Sequence, residues 1–177
     1  MIDDGAADHL RGTMLPSLSL PSTAGGTVDL AALPGRTVLY CYPRTSRPAR
    51  PSITGWDQIP GAKGCTPQSC AFRDHHAELQ SLGARVFGLS TQTTEYQQEA
   101  VGRLHLPFPL LSDADLAFAS ALRLPTFSVA GMTLLKRLTL IARDGRVEMV
   151  FYPVDPPEQN AAWVIAWLQD TARVPRG

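Results

Sequence analysis

Cysteine is scarce, with three in a chain of 177 residues, at positions 41, 65 and 70. So few, and an odd number, do not make the disulfide scaffold of a small secreted domain; the pair at 65 and 70 reads instead as cycling chemistry in a reducing compartment. Net charge is missing too. Sixteen Lys and Arg balance sixteen Asp and Glu, so no overall field draws the chain to nucleic acid or to an anionic membrane. No apolar run approaches the length that spans a bilayer, and the start, Met1 to Asp8, is acidic and lacks the basic and apolar regions of a secretory signal. The expectation is a cytoplasmic protein that binds neither membrane nor nucleic acid. There is no internal repeat and no low-complexity segment. At 44% hydrophobic residues, the length suits one domain, 1–177, with a good core. Residues 1–12 read as a flexible N-terminal tail.

What is present concentrates in Gly64-Cys65-Thr66-Pro67-Gln68-Ser69-Cys70-Ala71-Phe72-Arg73-Asp74. A loop turns into a helix here, with Thr66 able to cap the first turn and Pro67 suited to a first helical position. Helical character continues to Leu82, and Gly83 is a left-handed stop. Thiols react as thiolates, and the free N–H groups at a helix start stabilise a nearby anion. Cys65 is the cysteine so placed. In a regular helix the rise from Cys65 to Cys70 is roughly 7.5 Å, beyond the limit of about 7 Å between Cα atoms that a disulfide tolerates. If the two bond, the helix start must melt first. The alternative is two unrelated buried thiols, a common fate of free cysteine.

In chain order, Leu15 to Leu30 holds an alternating run, the pair Gly25-Gly26 and a second short run, the pattern of an edge hairpin. Arg36 to Pro43 is almost wholly apolar and suits a central strand covered on both faces, with Cys41 as a small core side chain. Residues 44–64, rich in Pro, Gly, Ser and Arg around the isolated Trp56, form a long loop inserted before Cys65. It is either functional or a tolerated insertion anchored by Trp56. Ala84 to Ser90 is a second core strand, Thr93 to His105 a helix, Phe108 to Asp113 a short strand, and Asp113 to about Leu122 a third helix with Ser112 as its cap. Lys136 to Arg143 and Arg146 to Tyr152 flank an Asp144-Gly145 turn as a hairpin. A last amphipathic helix runs from about Pro157 to Ala172. Strands alternating with helices imply parallel pairing, so the fold class is α/β: a mixed, mostly parallel central sheet with helices on both faces and an N-terminal β-hairpin.

With Tyr42-Pro43, Cys65-Thr66-x-Gln68-x-Cys70-x-x-Arg73-Asp74 and Arg137 before Leu-Thr-Leu in place, the chain resembles a peroxiredoxin. The nearest subgroup is the Q type, also called bacterioferritin comigratory proteins. The resemblance covers roughly residues 13–170. It implies a thioredoxin-like fold and a thiol-dependent peroxidase, without metal or organic cofactor, acting on hydrogen peroxide or organic hydroperoxides. By position, Cys65 is the peroxidatic cysteine, Cys70 the resolving one in an intramolecular disulfide, and Arg137 the arginine that reaches the peroxidatic sulfur. The reductant implied is thioredoxin or glutaredoxin, and intramolecular resolution leaves a monomer as the default.

One departure stands out. The family pattern Pro-x-x-x-Thr-x-x-Cys places a hydroxyl three residues before the cysteine, where this chain has Ala62. Tyr42-Pro43 lies 22 positions upstream of Cys65, about 15 more than that pattern holds. Thr45, Thr54 or Thr66 is expected to supply the missing hydroxyl, with Thr45 favoured because it follows Tyr42-Pro43 most closely. Arg73 and Asp74 read as a helix-surface pair. Two rival readings use the same cysteines. One is a thiol-disulfide oxidoreductase or redox sensor that passes oxidation to a partner protein. The other is a metal-binding module of Cys65, Cys70 and either His75 or His76, for which the spacing is atypical and a fourth ligand is not evident.

Overall fold

The computed structural model describes residues 2–48 and 53–173. The chain enters through a 3-10 turn at Asp8–Leu10 and an antiparallel hairpin of β1 (Ser19–Pro21) and β2 (Thr27–Asp29). It then lays down β3 (Arg36–Cys41) and, after the long loop, α1 (Cys65–Asp74), α2 (His76–Ser81) and β4 (Ala84–Ser90). Next come α3 (Thr94–Leu104), β5 (Leu110–Ser112), α4 (Ala117–Leu122), a small antiparallel pair of β6 (Thr126–Val129) and β7 (Met132–Leu135), the hairpin of β8 (Leu138–Arg143) and β9 (Arg146–Phe151), and α5 (Asn160–Arg173).

The main sheet has the order β5-β4-β3-β8-β9. β3 is central, as its apolar run requires. It pairs in parallel with β4 and antiparallel with β8, so that Val38 lies between Val86 and Ile141, and Leu39 between Phe87 and Leu140. Side chains alternate between the two faces of a strand, and here each face carries its own core. Val38, Tyr40 and Tyr42 pack with Cys65, Phe72, Leu79, Ala100, Val164 and Leu168 beneath α1, α2, α3 and α5. Leu39 and Cys41 pack with Leu10, Leu20, Phe118, Leu122 and Leu140 on the other face. Two pairings are parallel (β3 with β4, β4 with β5) and two antiparallel (β3 with β8, β8 with β9). The sheet is therefore evenly mixed rather than mostly parallel, because the C-terminal hairpin supplies two of its five strands and both antiparallel pairings.

Four local expectations are corrected. The start of the chain is no free tail: Leu10 is fully buried, Gly12 N donates to Val147 O at 2.8 Å, and Lys136 Nζ reaches Asp4 Oδ2 at 2.7 Å. The helix expected as far as Leu82 breaks at His75 (φ −100°, ψ 8°) and restarts as α2. Thr66 does not cap α1; the cap position belongs to Gly64. The third helix begins only at Ala117, since Leu116 turns left-handed at φ 61°. The buried Asp113 carboxylate, not Ser112, accepts from Phe118 N and Ala119 N at 2.9 Å each. Ser112 instead donates to Gln92 O at 2.7 Å.

The pairing of β6 with β7 has no counterpart in the sequence reading. It forms the floor for the long loop. Trp56 sits in a 3-10 turn (Trp56–Gln58), buried with Ala62 and Leu134 and with its ring 6.3 Å from that of Phe127. Near the loop's other end, Arg44 and Arg47 stack on Tyr96 of α3, with guanidinium carbons 5.8 and 4.4 Å from the ring centre. Positions 49–52 of the loop lie outside the described residues.

Candidate active site

The approach to α1 is set by Gly64, whose φ of +101° is open to glycine and strained for a side chain. A Cβ there would also fall 2.2 Å from Pro157 Cγ. The turn delivers Cys65 as the first residue of the helix, 4% exposed, in the core between α1 and the sheet. Its Sγ lies 3.7 Å from Ala62 O, the backbone of the residue that stands where a hydroxyl was expected. Beneath it, burial drives the phenols of Tyr40 and Tyr42 upward, so both stay neutral beside the sulfur.

Arg137, 3% exposed, lies between β7 and β8 and points at the same spot. Its Nη2 donates to Cys65 Sγ at 3.2 Å, Lys63 O at 2.8 Å, Gly61 O at 3.2 Å and Ala62 O at 3.4 Å. Its Nη1 donates to Gln68 Oε1. The Gln68 amide passes the contact on, with Nε2 donating to Asn160 Oδ1 at 3.0 Å, where Thr139 Oγ1 also donates at 2.7 Å. Gln68, Thr139 and Asn160 are all fully buried. Among the described residues no carboxylate pairs with Arg137. A buried cation needs compensating partners, and besides backbone carbonyls and the Gln68 amide the group that Arg137 meets is the sulfur of Cys65.

A sulfur at a helix start, held by a buried arginine under one face of a mixed sheet, is the geometry expected from the sequence resemblance. A model of the redoxin family matches residues 10–165. Peroxiredoxin Bcp of Escherichia coli (strain K12) is 31% identical over 166 residues, covering 91% of this chain and 96% of that protein. The chain belongs to the redoxin family, among the peroxiredoxins of the Q/Bcp type. The chloroplastic peroxiredoxin Q of Sedum lineare is 27% identical over 160 residues, covering 90% of this chain and 77% of its own. Among solved structures, peroxidoxin BcpB from Mycobacterium tuberculosis superposes with a TM-score of 0.72 at 25% identity, covering 90% of this chain and 96% of that one. The thioredoxin-like peroxiredoxin fold and a thiol-dependent peroxidase activity follow, with a peroxide as substrate and a thiol as reductant.

Within this peroxiredoxin, Cys70 lies half-buried on the same helix as Cys65; α1 is unbroken between the two, and both thiols are free. Cys41 is a fully buried core side chain, and burial pushes its thiol up, as its place in a central strand predicts. Arg73 and Asp74 form the surface pair expected of them, Nε to Oδ1 at 2.8 Å.

Thr45 is buried, but its hydroxyl goes to Gln92 Oε1 at 3.3 Å. The same amide takes Thr45 N at 2.9 Å and donates to Thr45 O at 3.0 Å. The structure therefore holds Thr45 on the loop after β4 and does not bring it to the sulfur. Thr66 is half-buried inside the first turn of α1, and Thr54 is exposed.

The histidines of the metal reading are engaged elsewhere, His75 Nδ1 3.5 Å from Glu78 Oε2 and the His76 ring 5.6 Å from that of Phe108. Sequence reasoning singled out Cys65 and Arg137 and missed the second rank, Asn160 and Thr139. Traces of it were present: Gln68 lies one turn from Cys65 on the same helix face, and Thr139 interrupts an otherwise apolar strand.

Proposed function

We propose that this peroxiredoxin reduces hydroperoxides with Cys65 as nucleophile and Cys70 as the resolving thiol. The Cys65 thiolate attacks the terminal peroxide oxygen and the O–O bond breaks. The sulfur, oxidised by two electrons, becomes a sulfenic acid, and the departing alkoxide or hydroxide takes a proton and leaves as alcohol or water. Cys70 then attacks that sulfur, an S–S bond forms and water leaves. A dithiol of the thioredoxin or glutaredoxin type reduces the disulfide by two exchanges and is itself oxidised. The observation that carries the reading is the buried Arg137 guanidinium 3.2 Å from Cys65 Sγ at the start of α1, with no carboxylate to claim it among the described residues. Arg137 holds the thiolate and then the charge that develops on the peroxide oxygens.

Organic hydroperoxides are substrates alongside hydrogen peroxide. A cavity of about 490 Å³ beside Arg137, walled by Ile59, Pro60, Phe127 and Tyr152, has the size and apolar character for their bodies. Because both reacting sulfurs belong to one helix, turnover needs no second chain, and the protein works as a monomer. The scarcity of cysteine fits a reducing cytoplasm.

Stopped-flow oxidation by hydrogen peroxide and cumene hydroperoxide tests the scheme. Cys65→Ser is expected to be inert, and Cys70→Ser to react once and stop as sulfenic or overoxidised sulfur. Equal peroxide consumption by Cys65→Ser sinks the reading. Ala62, in place of the expected hydroxyl, is the one observation that favours a thiol-disulfide oxidoreductase. That reading requires the wild type to turn over disulfides while barely consuming peroxide.

A further inference from the structure

We infer that Asn160, at the first turn of α5, is a positioning residue with two opposed effects: it latches the start of α1 for the attack on peroxide and restrains the opening that lets Cys70 resolve. The inference rests on the roles proposed above for Cys65 and Cys70.

The atoms determine the direction of every bond in the network. Arg137 can only donate, so the Gln68 atom facing it must be the carbonyl oxygen, and the Gln68 amide nitrogen must point away. That nitrogen needs an acceptor, and Asn160 Oδ1 is the one it meets, at 3.0 Å. The Thr139 hydroxyl donates to the same oxygen at 2.7 Å and fixes the Asn160 amide in turn. Remove the Asn160 oxygen and two fully buried donors lose their partner together. The Gln68 amide is then free to rotate, and a rotated amide turns N–H toward the guanidinium that Cys65 depends on. Among the described residues the Asn160 Nδ2 has no hydrogen-bond partner. The acceptor function is therefore what holds this side chain in the network.

The latch also crosses the segment that must move. Gln68 lies between Cys65 and Cys70 on α1, and its amide is tied at one end to Arg137 beside β8 and at the other to α5. The chain just before α5 grips the same turn, with Pro157 packed on Gly64 so closely that a methyl group there would overlap it. A regular helix keeps Cys65 and Cys70 too far apart to bond, by the rise already given. Resolution must therefore break the Gln68 contacts to both partners, while peroxide attack needs them whole.

Single-turnover kinetics on the full chain separate the two effects. The rate of Cys65 oxidation by hydrogen peroxide is read in a Cys70→Ser background, and the rate of disulfide formation in the two-cysteine protein. Asn160→Ala is expected to slow the first about tenfold, the loss that follows from one buried hydrogen bond, and to speed the second several-fold, with less overoxidation at high peroxide. Asn160→Asp keeps an acceptor oxygen and is expected to recover most of both rates. If the alanine protein does not fold, Asn160→Ser, which is too short to span the gap, reads the same split. Rates that move in the same direction, or do not move, overturn the inference, as does an aspartate variant as impaired as alanine. If Cys65 in the parent protein forms no sulfenic acid, the proposed function fails and this inference with it. If it does and only the split is missing, this inference alone fails.

Discussion

Lysine in place of Arg137 keeps the charge and loses the fork. One guanidinium nitrogen serves the Cys65 sulfur and three carbonyls of the 61–63 loop, while the other serves Gln68. A single ammonium cannot reach both sets at once. Arg137→Lys is expected to lower the second-order rate of Cys65 oxidation by about a hundredfold, the scale seen when one preorganised donor to a developing charge is removed. A stopped-flow rate within a factor of three of wild type contradicts that role. At the same scale, Thr45 shows how sequence adjacency misleads. It follows Tyr42-Pro43, yet its hydroxyl and backbone are all held by Gln92. Three residues from Cys65, the side chain at Ala62 has no hydroxyl, and only its carbonyl faces the sulfur.

At the scale of elements, α1 depends on how its start is gripped. Gly64 permits the left-handed entry, Pro157 presses on it, and Gln68 fastens the first turn to the sheet and to α5. Gly64→Ala meets both the conformational penalty and the proline ring, and is expected to destabilise the protein by about 1–3 kcal/mol while slowing Cys65 oxidation. Urea denaturation with a parallel peroxide assay checks it, and unchanged stability contradicts the grip. The long loop acts at the same level. Trp56 fills the space between Ala62 and the β6–β7 pair, so the insertion is packed against the protein along that stretch and brings a fixed backbone to the sulfur.

For the whole molecule, the N-terminal segment closes the lower core. Leu10 is fully buried among Leu20, Phe118, Leu122 and Leu140. Leu10→Ala is expected to lower the stability by about 2–5 kcal/mol, as truncations of buried leucine do, and an unchanged urea midpoint contradicts that. Further out, Asp4 is tied to Lys136 and Tyr152, whose hydrogen bonds hold its carboxyl down to about 2. A depressed carboxyl contributes stability above its unfolded value of about 3.9 and loses that contribution as pH falls through about 2. Observed by NMR, the Asp4 carboxyl should titrate near 2, and Asp4→Asn should flatten the acid limb of stability. Titration near the unfolded value contradicts the tie.

The sequence by itself determined the apolar strands β3 and β4, the β8–β9 hairpin around Asp144-Gly145, and the helix α3. It also placed Cys65 at a helix start, and the family resemblance pointed to Cys70 and Arg137, because periodicity and motif spacing are local properties. Tertiary structure alone decided what depends on contacts between distant segments: the even mix of the sheet, the burial of Leu10, the pairing of β6 with β7 under Trp56, and the path from Cys65 through Arg137 and Gln68 to Asn160. Arg137 and Gln68 are 69 positions apart, and Gln68 and Asn160 are 92. No window of sequence holds such pairs, and a buried hydrogen bond forms only once packing has excluded water and left each donor a single acceptor to find.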